Sequence, residues 1–230
     1  MKEKLLSIVI PAYNEQSRIA EAIKRVKNLD FSRQGYSKEI IVVNDGSTDR
    51  TENILRAQKG IIFVSYKKNR GKGFALREGF RRAKGEIICI QDADLEYEDA
   101  AIARMLSEVL SGAEVVYGSR FKGNVSGMHF SHLFGNKLLT LATKTLFFSS
   151  VSDMETALKM FRAPVLKSLT LKSNSFDFEP EITAKVLLGG HKIKEVPVKY
   201  YGREKREKKI SWKDGVKALG VLVKCRAGLL

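Results

Sequence analysis

The sequence predicts an α/β fold: a doubly wound, mostly parallel sheet flanked by helices, with a basic, helical C-terminal elaboration. Three observations carry that expectation. Short apolar runs rich in Ile and Val alternate with segments of helical period. Polar clusters follow several of those runs, at what would be one edge of the sheet. Neither an internal repeat nor a low-complexity linker interrupts the 230 residues, so one domain over 1–230 is expected.

The runs Leu6–Ile10, Ile40–Val43, Ile61–Val64 and Glu86–Ile90 lack clear alternation, as expected of strands buried on both faces. Between the first two, Glu15–Asn28 places Ile19, Ala22, Ile23 and Val26 on one helical stripe. Thr48–Lys59 follows a Ser/Thr/Asp-rich start suited to capping a helix, and Gly73–Ala83 follows Gly-Lys-Gly. Strands alternating with helices imply parallel βαβ units. A fifth strand is predicted at Glu114–Gly118. Phe130–Phe148 then reads as an amphipathic helix bearing Leu133, Phe134, Leu138, Leu141, Ala142 and Leu146. Core packing is the expected use of that stripe, with contact to a bilayer as the alternative. A short strand at Lys159–Phe161 follows, then a helix over Phe178–Leu188 with Pro180 tolerated in its first turn. Ile193–Val198 is a further strand and Trp212–Lys224 a final helix.

Charge narrows the partners. Lys and Arg number 41 against 26 Asp and Glu, a net of +15. Residues 111–230 hold 21 of the basic groups and 10 of the acidic ones, so a polyanionic partner should meet that half. Nucleic acid, an anionic membrane surface or a phosphate-bearing substrate would all fit, and so would a surface that is merely soluble. No recognised nucleic-acid motif accompanies the charge, so a nucleic-acid partner is not expected. Cys89 and Cys225 cannot build a disulfide framework, which suits a reducing compartment. The N-terminal apolar run is too short for a secretory signal, and no window of ~18 apolar residues offers a membrane span. A cytoplasmic protein, with any membrane contact peripheral, is expected.

The chemistry gathers where strands end. The first strand runs into Pro11-Ala12-Tyr13-Asn14-Glu15, the second into Asn44-Asp45-Gly46-Ser47-Thr48-Asp49, and the fourth into Gln91-Asp92-Ala93-Asp94. Asp92 and Asp94, two apart beyond a buried strand, can both reach one divalent cation. Mg²⁺ takes one or two carboxylates and completes its shell with phosphate oxygens. The alternative is an Asp turn capping the next helix. Asp45 could accept a hydrogen bond from a base or a ribose hydroxyl, whereas Ser47 and Thr48 suit a plain strand–turn–helix connection. Asn69-Arg70-Gly71-Lys72-Gly73 lacks the spacing of a P-loop, which disfavours that class of ATPase. His129, His132 and His191 have no metal-ligand spacing.

These pieces, in this order, resemble family 2 glycosyltransferases of the GT-A fold, whose sheet is Rossmann-like. The resembling stretches are Ser7–Glu15, Val42–Thr51, Asn69–Gly73, Gln91–Glu98 and Gly118-Ser119-Arg120. In the second half, Asp153-Met154-Glu155-Thr156, Lys159-Met160-Phe161-Arg162, Phe178–Lys185, Glu195-Val196-Pro197-Val198 and Tyr200-Tyr201-Gly202-Arg203 look like the dolichyl- or polyprenyl-phosphate hexose synthases. The resemblance implies a nucleotide-sugar-binding half over 1–118 and an acceptor-binding half over 119–230. It implies Mg²⁺ or Mn²⁺ held by Asp92 and Asp94 with Glu96 nearby. Pro11, Ala12, Tyr13, Glu15, Asp45, Lys72 and Ala93 would line the donor site, and Arg120 and Arg203 would meet phosphate. The implied reaction is inverting transfer of a hexose from a nucleotide sugar to a polyprenyl phosphate. A glycan acceptor is the alternative within the class. Gly127-Met128-His129-Phe130-Ser131-His132 offers histidines where some relatives are rich in arginine. The run Lys199–Lys213, with seven Lys/Arg and two Glu, would contact an anionic membrane, close over the donor, or stand as a solvated loop.

Overall fold

A computed structural model describes residues 4–202 and 212–230, without the side chains of 212–214. Arg203 and the basic run after it therefore lie outside the described residues.

Seven strands form one sheet in the order β3-β2-β1-β4-β6-β5-β7. They are β1 (Lys4–Ala12), β2 (Tyr36–Asn44), β3 (Ile62–Ser65), β4 (Ile87–Ile90), β5 (Val115–Ser126), β6 (Lys159–Arg162) and β7 (Ile193–Tyr201). β1 is an interior strand, parallel to both β2 and β4, with Ile8 opposite Ile40 on one side and Cys89 on the other. Its apolar run is continuous because both faces are covered: Leu6, Ile8, Val9 and Ile10 are all fully buried. The short strand β6 is antiparallel to both neighbours, while β7 returns parallel to β5, so the sheet is mixed and mostly parallel. Chain order reverses between β1 and β4, and an open sheet forms its ligand crevice at such a switch point.

The helices are α1 (Ile19–Asn28), α2 (Thr51–Arg56), α3 (Lys72–Arg82), α4 (Ala100–Leu110), α5 (Phe130–Phe147), α6 (Ala163–Ser168), α7 (Phe178–Leu188) and α8 (Trp212–Arg226). α1 buries the expected stripe, Ile19, Ala22, Ile23 and Val26. Each large member contributes roughly 1.5–3 kcal/mol by leaving water. α3 lies close against β1, since a Cβ on Gly79 would come within 2.3 Å of the Val9 side chain. Two apolar clusters result. Ile23, Ile8, Cys89 and Ile102 belong to one, and Val9, Leu76, Phe178 and Leu222 to the other. Cys89 and Cys225 are both buried and free. No helix among the described residues is long and apolar enough to cross a membrane.

One sequence expectation needs correction. The stripe Leu133, Phe134, Leu138 on α5 does not pack as core. Leu139, Ala142 and Leu146 face the interior, while Phe134 is 62% exposed and Leu141 58%. The helix is apolar on two sides, and only one of them is covered. α8 repeats the arrangement: Ala218, Leu222 and Cys225 point inward, and Val216, Leu219 and Val223 are exposed.

Candidate active site

The strand-terminal clusters converge because the loops after β1 and β2 are tied together. Asn14 adopts a left-handed φ of 53°. Its N–H donates to Ser47 Oγ at 3.0 Å, and its Oδ1 accepts from the Thr48 N–H at 2.8 Å. The Glu15 N–H donates to Thr51 Oγ1 at 2.9 Å. Ser47 and Thr48 are thus connection residues, as their composition suggested. Gly46, with φ +67°, lets the loop press on residues 68–69: a Cβ there would lie 2.4 Å from the Lys68 carbonyl carbon.

A cavity of about 890 Å³ opens over the carboxyl ends of the strands. Pro11, Ala12, Tyr13 and Glu15 line it from the end of β1, Asp45 from β2, and Lys72 from the start of α3. The segment after β4 contributes Asp92, Ala93, Asp94 and Glu96, and β5 contributes Arg120. Every site residue expected from the sequence lines this one cavity, apart from Arg203, which lies outside the described residues. Met128, Leu138 and Leu139 from the α5 region and Val216 and Leu219 from α8 form its apolar wall.

Asp45 holds the loop before α3. Its Oδ1 accepts from the Arg70 N–H at 2.9 Å and its Oδ2 from the Gly71 N–H at 2.7 Å. Burial pushes its carboxyl above the ordinary value, against the pull of those two donors. Each oxygen retains a second acceptor position, so ligand recognition and loop positioning are compatible roles. Lys72 reaches across the floor, its Nζ 2.9 Å from Asp92 Oδ2 and 2.9 Å from Glu179 Oε1. Burial opposes its charge, but the two carboxylates outweigh that and hold the ammonium well above its usual pKa.

The acidic pair suits a divalent cation. Asp92 Oδ1 is buried and has no hydrogen-bond partner in the protein. Asp94, nearly buried, accepts from the Glu96 N–H through Oδ1 at 3.2 Å. A buried, unpartnered carboxylate oxygen beside a second carboxylate is the donor set a hard cation takes, with phosphate oxygens completing the shell. Glu96 does not complete a three-group cluster. Among the described residues no three of His, Cys, Asp and Glu stand close enough together to hold an ion. Glu96 Oε2 instead accepts from the Tyr200 hydroxyl at 2.5 Å, linking the segment after β4 to β7.

Arg120 is committed first to Asp153. Its backbone N–H and Nε donate to Oδ2 at 2.9 and 2.7 Å, and Nη2 donates to Oδ1 at 2.7 Å. The pair is buried, Asp153 completely. A guanidinium has five N–H groups, and the side chain uses two of them on Asp153. The others are what Arg120 has to offer an anion in the cavity.

Sequence reasoning assigned no role to Glu155 and Glu179, which also line the cavity. Both lie in quoted stretches. The available signal was charge in apolar company: Glu179 opens a helix whose first residues, Phe178 to Ala184, are all buried. Of the histidines, His132 lines the cavity and the other two pair elsewhere. His129 Nδ1 pairs with Ser131 at 2.8 Å and His191 Nδ1 with Glu114 at 2.8 Å.

The family model described as glycosyl transferase family 2 matches residues 7–170. The low-salt glycan biosynthesis hexosyltransferase of Haloferax volcanii is 32% identical over 91% of this chain and 51% of its own length. The dolichol-phosphate mannosyltransferase of Pyrococcus furiosus is 26% identical over 90% of this chain and 60% of its own length. The chain thus spans between half and two thirds of those two relatives. Among solved structures, glucosyl-3-phosphoglycerate synthase of Mycobacterium tuberculosis, in complex with Mn²⁺, UDP and phosphoglyceric acid, superposes with a TM-score of 0.73. That match is 22% identical and covers 99% of this chain and 80% of the other, and it bears out the GT-A fold.

Proposed function

The chain belongs to glycosyl transferase family 2, and from that premise we propose that it transfers a hexose from a nucleotide sugar to a polyprenyl phosphate at a membrane surface. One observation carries the reading: a single cavity joins the acidic floor at Asp92 and Asp94 to the exposed apolar faces of α5 and α8. A diphosphate suits the first and a prenyl chain the second. The relatives point the same way, since one of them is a dolichol-phosphate mannosyltransferase.

In this reading the nucleoside lies against Pro11, Ala12, Tyr13 and Glu15, with Asp45 accepting from it. Asp92 and Asp94 would hold Mg²⁺ or Mn²⁺, which would supply positive charge against the departing nucleoside diphosphate. Lys72 keeps the Asp92 carboxylate in place and balances the floor. Arg120, locked by Asp153, presents its remaining N–H groups to phosphate, a geometry that a guanidinium serves better than an ammonium. The acceptor phosphate is already an anion at neutral pH, so no strong general base is needed. Its oxygen attacks the anomeric carbon, and the bond from that carbon to the nucleoside diphosphate breaks with its electron pair. The configuration inverts.

The outward faces of α5 and α8, with the basic second half of the chain, would rest on an anionic bilayer and present the lipid at the cavity mouth. The test is release of nucleoside diphosphate from UDP-glucose or GDP-mannose, with and without a short-chain polyprenyl phosphate. Release that depends on the lipid, and that EDTA or Asp94→Asn abolishes, is expected. Lipid-independent release, or full activity in EDTA, overturns the proposal.

A further inference from the structure

The cavity floor holds two carboxylate oxygens that the pairing described above leaves open. Glu179 is 5% exposed; Lys72 occupies its Oε1, and its Oε2 is buried with no hydrogen-bond partner in the protein. Glu155 lines the same cavity, and its Oε1 is likewise buried and unpartnered. An ionised carboxylate only accepts hydrogen bonds, and a buried one left unsatisfied is costly, about 1–3 kcal/mol or more. Two open carboxyl oxygens in one cavity suit a ligand of hydroxyl groups, which donate to an ionised carboxylate and accept from a protonated one.

Position and charge narrow that ligand. Lys72 Nζ is 2.9 Å from both Asp92 Oδ2 and Glu179 Oε1, so one shared ammonium separates Glu179 from the acid pair assigned to the diphosphate. The group attached to the diphosphate of a nucleotide sugar is the hexose. An anion is unsuited to two open carboxylates. A second cation is unsuited too: it would lack the phosphate oxygens that complete a shell at Asp92 and Asp94, and among the described residues no three of His, Cys, Asp and Glu stand close enough together to hold an ion. A neutral ligand rich in hydroxyl donors fits.

We propose that Glu155 and Glu179 form the sugar subsite, accepting hydrogen bonds from hydroxyls of the donor hexose and so selecting which hexose is transferred. This inference rests on the donor reading above. Hydroxyl-to-carboxylate hydrogen bonds are short and charge-assisted. A site built to accept a substrate hydroxyl strongly rejects the analogue lacking it, because the acceptor is then left unpaired. A uronic acid donor is excluded by repulsion. Burial, reinforced by the Glu179 charge, pushes the Glu155 carboxyl up, and a donated hydroxyl would bring it back down.

The test is calorimetry on the full chain with UDP-glucose, GDP-mannose, free UDP and free GDP, on wild type and Glu155→Gln. The expected result is that Glu155→Gln binds the preferred nucleotide sugar at least tenfold more weakly and the free nucleoside diphosphate as wild type does. Deoxy forms of that donor probe the unmodified protein, so the answer does not depend on the variant folding. Removing at least one ring hydroxyl should cost wild type tenfold or more and cost the variant much less. Unchanged nucleotide-sugar affinity in the variant, an equal loss for the free diphosphate, or wild-type indifference to every deoxy donor overturns the assignment. If wild type binds neither nucleotide sugars nor nucleoside diphosphates, the donor reading fails, and this inference falls with it.

Discussion

Replacing Asp153 with Asn tests how the cavity wall is held. The change keeps the shape of the side chain and removes its charge. Asp153 is fully buried and receives three hydrogen bonds from Arg120, two of them from the guanidinium at 2.7 Å. Asparagine would set an NH₂ group against at least one of those donors and leave a buried guanidinium without its counter-charge. Breaking a buried pair in this way costs about 3–5 kcal/mol, a large part of a total stability of roughly 5–15 kcal/mol. Two further donors would stay in place, since the Ser152 and Asp153 N–H groups bind Glu195 Oε1 at 2.8 and 3.1 Å. The loop should therefore remain tethered. Urea unfolding followed by circular dichroism measures the loss from the midpoint at constant slope. Arg120→Met combined with Asp153→Asn should recover at least half of it, because no unbalanced charge is then buried. A loss below 1 kcal/mol in the single variant, or a double variant worse than the single, would refute the reasoning.

Other outcomes follow from the same geometry. Asp45→Ala should weaken UDP or GDP binding by ~1.5–3 kcal/mol in calorimetry, and Asp45→Asn by less, since it keeps one acceptor for the loop before α3. Glu181 accepts from the Lys172 and Ser173 N–H groups and from Lys185 Nζ. Burial alone would raise its carboxyl, but those partners prevail and hold it below its ordinary value of 4.5. A depressed folded pKa contributes stability above the unfolded value that is lost as pH falls through the folded one, so Glu181→Gln should flatten the acid limb of a urea-midpoint profile below pH ~4.5. Phe134, Leu138 and Leu141 are already partly covered, so each has roughly 1 kcal/mol left to gain in a bilayer. Changing all three to Gln should lower binding to anionic vesicles about a hundredfold in a sedimentation assay while leaving the melting temperature nearly unchanged.

Much of the fold was legible because burial on both sheet faces writes continuous Ile/Val runs, as at Leu6–Ile10 and Ile40–Val43. The acid pair was legible for a related reason: a strand end is a fixed point, and Asp92 and Asp94 follow one directly. α4 was overlooked although Ala101, Ile102, Met105, Leu106 and Val109 form a clear helical stripe. The outward face of α5 was misread because periodicity shows that a helix has apolar sides, not which side the sheet covers. The roles proposed for Glu155 and Glu179 were barely legible: charge in apolar company marked Glu179 and nothing more. They depend on contacts across the chain, Lys72 with Glu179 above all, and on burial that no local pattern announces.

The central claim is that one cavity brings a nucleotide-linked hexose and a lipid phosphate together. The most direct measurement is mass spectrometry of the lipid fraction after incubation with UDP-glucose or GDP-mannose, a short-chain polyprenyl phosphate and Mg²⁺ or Mn²⁺. A polyprenyl phosphate heavier by one hexose residue is expected, with the anomeric configuration opposite to that of the donor. An unmodified lipid, recovered while the same donor is consumed on a soluble glycan, would contradict it.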